Sequence, residues 1–385
     1  MLLPIHIIHP IKMTSIITQK YALLVAFEYS SQEGVHNCDK PNNLISIDAD
    51  LANMWSLCID NFKIPRNNIT IITDLKVNPK KANPWDIMDI HRDGNPSVTR
   101  MDFPCINNLV AEMIQFVENS IRDIHPIKGD ECIKREAFIY FSGHGAYIPH
   151  PTRKKFTNGL IFLDHECGKR VYLSDSEIFK ILFGQLEVCD DEDSEKGGYM
   201  SIPVVRRVIE TTAVSSSNSN STSNNKSKPL PSKVTFIEEA VVVNVNPSPS
   251  KHNRGLPYET SMLMVIDSCH SGTMADLPYI YTTGDKAKSI KPHMAKVEAE
   301  IKDGPYIVCI GATNDTQVAP STEDGSPFTS NFATRVNQCR EPVTIHKFQQ
   351  ILEYDLPSVL LGCSPTITST SHHVSAVVPF VGVTQ

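Results

Sequence analysis

The sequence contains no long apolar run, because charged and polar residues interrupt every stretch before it reaches the roughly 18 residues that a transmembrane helix needs. It also has no basic excess: 36 Lys and Arg stand against 43 Asp and Glu, a net charge of −7, which argues against nucleic acid as the main partner. The apolar start of the chain lacks the small-residue cleavage site of a secretory signal. We therefore expect a soluble, cytoplasmic protein that binds neither membranes nor nucleic acids.

The cysteines form no recognisable pairs, since the sequence has no CxxC motif and no cysteine–histidine spacing typical of a zinc site. In a reducing compartment we expect free thiols, several of them buried as small hydrophobic side chains. The question is then which thiol is reactive. The ten positions are Cys38, Cys58, Cys105, Cys132, Cys167, Cys189, Cys269, Cys309, Cys339 and Cys363.

Strand-like and helix-like segments alternate along the 385 residues, which suffice for about two or three domains or for one large domain with insertions. This alternation predicts an α/β sheet with helices on its faces. Nearly continuous apolar runs predict buried strands at 21–27, 68–74, 137–141, 262–266 and 306–310. Apolar stripes of helical period predict helices at 46–61, 106–121, 328–338 and 344–354.

Two segments interrupt this alternation. Residues 79–104 are rich in Pro, Asn and Asp and predict a long surface loop. Residues 189–259 begin with an acidic run and contain a Ser/Asn/Thr tract, which buries too little apolar surface to offset the entropy of ordering. We expect 189–259 to be a low-complexity, largely disordered insertion, in which the apolar residues 234–245 still allow an extra strand or hairpin.

Two buried strands run directly into small, glycine-bearing turns that carry reactive side chains. One turn holds His144 in Phe141-Ser-Gly-His-Gly145, and the other holds Cys269 in Asp267-Ser-Cys-His-Ser-Gly272. An imidazole within hydrogen-bond reach activates a thiol and can later protonate the leaving amine. Backbone amides of Gly143 and Cys269 are candidates for an oxyanion hole. A single turn of either kind is usually structural, but the pairing favours nucleophilic catalysis.

These motif residues resemble those of metacaspases, within the caspase-like cysteine peptidases. The resemblance lies in Phe-Ile-Tyr-Phe-Ser-Gly-His-Gly (138–145) and in the segment 267–281, whose Asp-Leu-Pro-Tyr continuation is similar to type I metacaspases. It implies His144 as general base and Cys269 as nucleophile of a cysteine endopeptidase. It further implies a monomer with a caspase-like α/β fold, whose central, mostly parallel six-stranded sheet is flanked by helices on both faces.

The resemblance also divides the chain. The division gives a short N-terminal extension (1–20), a large-subunit-like catalytic part (21–188 and 260–282), the insertion (189–259), a linker (283–304) and a small-subunit-like part (305–385). Self-cleavage is expected at basic residues, either in the insertion or in the linker. An inert surface excursion remains the alternative for the insertion. The candidates are Arg206, Arg207, Lys226, Lys228 and Lys233 in the insertion, and Lys286, Lys288, Lys291 and Lys296 in the linker.

Asp50 and Asp267 are candidates for binding a substrate cation. Asp267 ends an otherwise apolar strand, where an unpaired carboxylate is costly, and Asp50 lies on the apolar side of its predicted helix. They match the metacaspase S1-pocket positions, which implies protein or peptide substrates with Arg or Lys at P1, the residue before the scissile bond. Ile47 stands where the family segment has a cysteine. The alternative for Asp50 is a carboxylate stabilised by the helix dipole.

The resemblance implies calcium as a cofactor, bound by Asp164, Asp175 and Asp276, whose hard oxygen donors suit Ca²⁺. The adjacent carboxylate pair of the family is Ser174-Asp175 in this chain, so one ligand is missing. Ser174 can equally be a helix N-cap that forms a capping box with Glu177. Both interpretations of Ser174 stay open.

A second function class stays open beside the peptidase: a caspase-fold regulatory or interaction protein with vestigial turnover. The intact His144 and Cys269 favour the peptidase, whereas the departures at Ile47 and Ser174 favour the second class. A caspase that cuts after Asp is disfavoured because it needs a basic pocket.

Overall fold

The structure is a computed structural model. It describes residues 16–30, 41–76, 83–86, 94–102, 104–122, 132–149, 156–163, 170–183, 188–189, 198–210, 233–245, 260–281, 287–289, 305–355, 363–373 and 375–382.

Within these residues the chain forms fifteen strands and five α-helices. The strands are β1 (Ile16–Ala26), β2 (Ile69–Thr73), β3 (Ser97–Arg100), β4 (Cys132–Ser142), β5 (Gly145–Pro149), β6 (Phe156–Leu163), β7 (Arg170–Ser174), β8 (Val188–Cys189), β9 (Gly198–Glu210), β10 (Lys233–Val245), β11 (Thr260–Asp267), β12 (Tyr279–Tyr281), β13 (Ala287–Ser289), β14 (Tyr306–Gly311) and β15 (Thr366–Ser369). The helices are α1 (Ile47–Ser56), which continues as a π-helical turn (Leu57–Asn61), α2 (Ile106–Arg122), α3 (Asp175–Phe183), α4 (Pro327–Gln338) and α5 (Ile345–Asp355).

A nine-stranded sheet with the order β13-β12-β15-β14-β11-β4-β1-β2-β3 forms the centre of the fold. The strands from β14 to β3 are all parallel to their neighbours, and β15, β12 and β13 add antiparallel pairs at one edge. The predicted mostly parallel sheet is therefore confirmed, but the predicted number of six strands is wrong. The extra strands β3, β12 and β13 have three or four residues each and lack the long apolar runs that mark the central strands.

Strand β1 shows why helices cover both faces of this sheet. Successive strand residues point to opposite faces, and both sets are apolar here. Leu23 and Val25 belong to the core that contains residues of α2 and α3, whereas Leu24 and Ala26 belong to the core that contains residues of α1, α4 and α5. The predicted burial of this strand on both sides, with helices on both faces, is confirmed.

A second, antiparallel sheet lies beside the first, with the order β10-β9-β7-β6-β5 and with β8 paired to β9. Strands β9 and β10 belong to the predicted insertion and pair in register from Gly198↔Val245 to Glu210↔Lys233. The expectation of disorder is therefore wrong for 198–210 and 233–245, and the predicted extra strand at 234–245 is confirmed. Sequence composition missed β9, which gains order by pairing with β10 and with β7.

Two further boundaries differ from the sequence prediction. Strand β1 begins at Ile16, so the end of the predicted N-terminal extension (1–20) belongs to the central sheet. Residues 97–100 of the predicted loop form strand β3 through pairing with β2. Most of the predicted linker 283–304 lies outside the described residues. No helix in the described part of the chain is long and apolar enough to span a membrane.

Candidate active site

The register of β4 and β11 brings the two glycine-bearing turns together. The strands are parallel neighbours, and Ser142 at the end of β4 pairs with Asp267 at the end of β11. His144 and Cys269 each follow two residues after this pair. Both side chains therefore lie at the same edge of the sheet, where the carboxyl ends of parallel strands form sites in α/β proteins.

Glycine at 145 is required by the contact between these turns. A Cβ atom built on Gly145 would lie 2.0 Å from the carbonyl oxygen of Cys269, which is backbone and cannot move aside cheaply. At Gly272 the same atom would lie 2.8 Å from Oδ1 of Asp315. At both glycines the close approach is between segments of the protein itself.

The imidazole of His144 is held in one tautomer. Its Nε2 lies 2.6 Å from the carbonyl oxygen of Asn42. Because a carbonyl oxygen can only accept, Nε2 carries the proton and Nδ1 is the basic nitrogen. Burial lowers the pKa of His144, while the bond to Asn42 raises it and the charge of Arg170 lowers it. The neutral imidazole is thus favoured near pH 7, as a general base requires.

The thiol of Cys269 lies against Ala319, 50 residues further along the chain. The backbone N–H of Ala319 donates to its Sγ at 3.3 Å. Burial raises the pKa of Cys269, the amide of Ala319 lowers it and the charge of Asp267 raises it. With a raised thiol pKa and a lowered imidazole pKa, the resting pair is neutral. Attack on a carbonyl then requires transfer of the proton to the imidazole.

Asp50 and Asp267 interact electrostatically, and Asp267 lies two residues before Cys269. Both are buried, with exposed fractions of 0% and 5%. Oδ1 of Asp50 accepts from the N–H of Ser326 at 2.7 Å, and Oδ2 of Asp267 accepts from Oγ1 of Thr329 at 2.5 Å. Asp50 lies in the first turn of α1, but its carboxylate bonds to other segments of the chain, which supports the inward-facing interpretation.

The two carboxyl groups destabilise each other's ionised form. Burial, and secondly the charge of Asp267, raise the pKa of Asp50 to about 7. Burial raises the pKa of Asp267 to about 6. Among the described residues neither carboxylate forms an ion pair with a lysine or arginine. A buried pair of like charges without a cation is costly, and a cationic ligand would relieve that cost.

The two candidate oxyanion donors differ in their surroundings. The N–H of Gly143 donates to the carbonyl oxygen of Asp267 at 3.2 Å, so it can bind an oxyanion only if that bond opens. A Cβ on Gly143 would lie 2.8 Å from the Phe141 ring and 3.1 Å from the hydroxyl of Tyr29. The amide of Cys269, next to the reacting sulfur, is the better-placed donor.

The calcium ligands expected from the sequence are only partly described. Asp164 lies outside the described residues. Oδ1 of Asp175 accepts from Oγ1 of Thr157 at 2.6 Å and from the N–H of Ser176 at 2.8 Å. In the described part of the chain no three His, Cys, Asp or Glu side chains are grouped closely enough to hold a metal ion. The described residues therefore do not form a calcium site by themselves.

Ser174 and His270 have structural partners. The hydroxyl of Ser174 accepts from the N–H of Glu177 at 3.4 Å, the first half of a capping box. Nδ1 of His270 lies 2.9 Å from the carbonyl oxygen of Asp315, and its ring stacks on Tyr147. His270, although adjacent to Cys269, is thus held by contacts with other segments of the chain.

Sequence reasoning missed several residues that shape the site. They are far from both motifs in the chain, and no spacing rule links them to the motifs. The short polar segments 314–317 and 325–329, between a predicted strand and a predicted helix, are the sequence signal that could have pointed to three of them. The missed residues are Tyr29, Asn42, Asp74, Asp315, Ala319, Ser326 and Thr329.

Comparison with known proteins adds little beyond this geometry. The chain matches no protein-family profile and no curated protein sequence. Among solved structures it is similar to a structural-genomics target protein from Geobacter sulfurreducens, with 12% identity over 91% of this chain and 93% of that chain and a TM-score of 0.43. It is also similar to caspase-1 from Spodoptera frugiperda, with 9% identity over 98% of this chain and 96% of that chain and a TM-score of 0.41. These likenesses are too distant to indicate what the chain does.

Proposed function

We propose that this chain is a cysteine endopeptidase of the caspase-like class, of metacaspase type, that cleaves after Arg or Lys. The observation that carries the proposal is the buried carboxylate pair Asp50–Asp267 beside the turns of His144 and Cys269. Cys269 as nucleophile and His144 as base support the type of reaction. The two buried carboxylates support a positively charged substrate side chain.

In the proposed reaction Nδ1 of His144 takes the thiol proton of Cys269 as Sγ attacks the scissile carbonyl. The imidazole then protonates the leaving amine, and water hydrolyses the resulting thioester with His144 again as base. The amide of Ala319 stabilises the developing thiolate before attack. The amide of Cys269 stabilises the oxyanion.

The carboxylates select the substrate because a guanidinium or ammonium group placed between Asp50 and Asp267 replaces their mutual repulsion with attraction. An aspartate side chain in the same place would add a third negative charge. Thr329 and Ser326 hold the two carboxylates in place through hydrogen bonds, so the pocket is ordered before substrate arrives.

The proposal includes self-cleavage at a basic residue. The pairing of β9 with its neighbours makes two of the candidate cleavage sites in the insertion unfavourable. Arg206 and Arg207 lie inside β9, where Arg206 is paired with strands on both sides. A backbone engaged in two ladders cannot enter an active site without breaking them. Lys233 begins β10, while Lys226 and Lys228 lie outside the described residues.

The test is cleavage of fluorogenic peptides with Arg, Lys or Asp at P1 by the purified full chain, with and without millimolar Ca²⁺. We expect release from the Arg and Lys peptides and none from the Asp peptide. The matched variant is Cys269→Ala, with Cys309→Ala as control, because Cys309 is a buried thiol of the central sheet. Absence of cleavage in every condition would contradict the peptidase and favour the regulatory or interaction protein.

A further inference from the structure

Tyr29 lies three residues after β1, where it contacts both the backbone and the ring of His144. Its hydroxyl accepts from the backbone N–H of His144 at 3.2 Å and donates to the carbonyl oxygen of Ile161 at 2.8 Å. The N–H of Ile161 in turn donates to the carbonyl oxygen of His144 at 3.0 Å. These three bonds form a closed ring that holds the turn of His144 between β1 and β6.

The aromatic ring of Tyr29 is a second contact with the same residue. Its centroid lies 4.7 Å from that of the His144 imidazole, with the ring planes tilted by 50°. A second constraint on the imidazole is the hydrogen bond from its Nε2 to the carbonyl oxygen of Asn42. The imidazole is thus fixed by a ring contact and by a hydrogen bond, which together determine where Nδ1 points.

Tyr29 adopts a backbone conformation that its side chain does not favour. Its φ is 60°, in the left-handed region that bulky residues rarely occupy, and the residue is fully buried. Strained residues persist only where the surrounding structure imposes the conformation, and they cluster at functional sites. A glycine would relieve the strain but would lose every contact with His144.

Asp74, directly after β2, imposes this conformation. Its Oδ1 accepts from the N–H of Glu28 at 2.6 Å and its Oδ2 accepts from the N–H of Tyr29 at 2.8 Å. The carbonyl oxygen of Glu28 accepts from the N–H of Leu44 at 2.9 Å, which ties the segment carrying Asn42 to the same turn. The turn at 28–29 therefore holds both groups that constrain the imidazole. The carboxylate of Asp74 fixes this turn through two hydrogen bonds.

We infer that Tyr29, fixed by Asp74, is a positioning residue that orients His144 toward Cys269. The inference rests on the proposed function, because it assigns a role in the reaction of that same dyad. Tyr29 and Asp74 touch neither the substrate cation nor the reacting sulfur in this arrangement. Their effect passes through the orientation of Nδ1, and small displacements of a catalytic group cost large factors in rate.

The experiment measures Cys269 in two ways in the full-length chain. The first is the rate of alkylation by iodoacetamide at pH 7.5, read at Cys269 by peptide mass spectrometry so that Cys363 does not contribute. The second is kcat and KM for the Arg peptide. The variants are Tyr29→Phe, which keeps the ring and removes the hydroxyl, and Asp74→Asn. His144→Ala sets the level expected when the base is absent.

Tyr281→Phe is the matched control, because Tyr281 is also buried and its hydroxyl donates to the carbonyl oxygen of Ser371 at 2.7 Å, in the antiparallel part of the sheet. We expect Tyr29→Phe to lower the alkylation rate and kcat by about 10- to 100-fold with KM unchanged. Asp74→Asn should also lower the alkylation rate and kcat, whereas Tyr281→Phe should leave both at their wild-type values.

Wild-type rates in a folded Tyr29→Phe, with a loss of melting temperature like that of Tyr281→Phe, would reduce the role to structure and overturn the inference. If Tyr29→Phe does not fold, Asp74→Asn decides by the same readouts. If wild-type protein cleaves no peptide, slow alkylation in Tyr29→Phe and His144→Ala still supports the positioning role while the peptidase fails. Equal alkylation of wild type and His144→Ala would overturn the dyad and the positioning role together.

Discussion

The carboxylate pair leads to a prediction in which stability and activity change in opposite directions. A pKa raised from 3.8 to about 7 means that ionising Asp50 costs about 4 kcal/mol more in the folded chain than in water. The folded chain therefore binds more protons than the unfolded chain between about pH 4 and pH 7. The contribution of Asp50 to the free energy of unfolding is largest below about pH 4 and is lost as the pH rises through about 7.

The perturbation is Asp50→Asn, which removes the charge and keeps an oxygen that accepts from Ser326. We expect the variant to be more stable than wild type at pH 8 by about 1–3 kcal/mol, less than the full ionisation cost because the new amide N–H groups need acceptors. At pH 5 the carboxyl of folded wild type is protonated, so the advantage of the variant should be smaller by about 2–3 kcal/mol than at pH 8. Urea unfolding at the two pH values measures both quantities.

Activity should fall in the same variant. Removing one partner of a buried charge pair costs about 2 kcal/mol or more, so kcat/KM for the Arg peptide should drop by about 30-fold or more. Asp48→Asn is the control, because Asp48 lies in the same first turn of α1 and removes the same charge near the helix N-terminus. If Asp50→Asn changes the free energy of unfolding equally at pH 5 and pH 8, or cleaves the Arg peptide as fast as wild type, the role assigned to the carboxylate pair is wrong.

Two further predictions concern the dyad and the contact between its turns. The rise of kcat/KM for the Arg peptide with pH should follow ionisation of the Asp50–Asp267 pair near pH 6–7. Alkylation of Cys269 does not need the ionised pair and should follow a different pH profile, so coincident profiles would contradict the assignment. Gly145→Ala should lower stability by about 2 kcal/mol or more and slow alkylation, because its Cβ would collide with the Cys269 carbonyl. Gly159→Ala, whose nearest contact is 3.3 Å, should cost less by thermal unfolding, and equal losses would argue against the collision.

The sequence by itself determined the elements whose apolar pattern is continuous. The runs at 21–27, 137–141 and 262–266 predicted strands buried on both faces, and these strands are central in the sheet. It also predicted which side chains are reactive, because His144 and Cys269 each follow such a strand closely. Those inferences needed only neighbours along the chain.

The tertiary structure alone decided how these parts meet. The hairpin of β9 and β10 is stabilised by pairing with distant strands, which composition does not encode. The register of Ser142 with Asp267, the strained turn at Tyr29 and the amide of Ala319 at the sulfur join segments that are far apart in sequence. The physical reason is that hydrogen bonding, like-charge repulsion and close backbone contact depend on distances in space, and a linear pattern reports only distances along the chain.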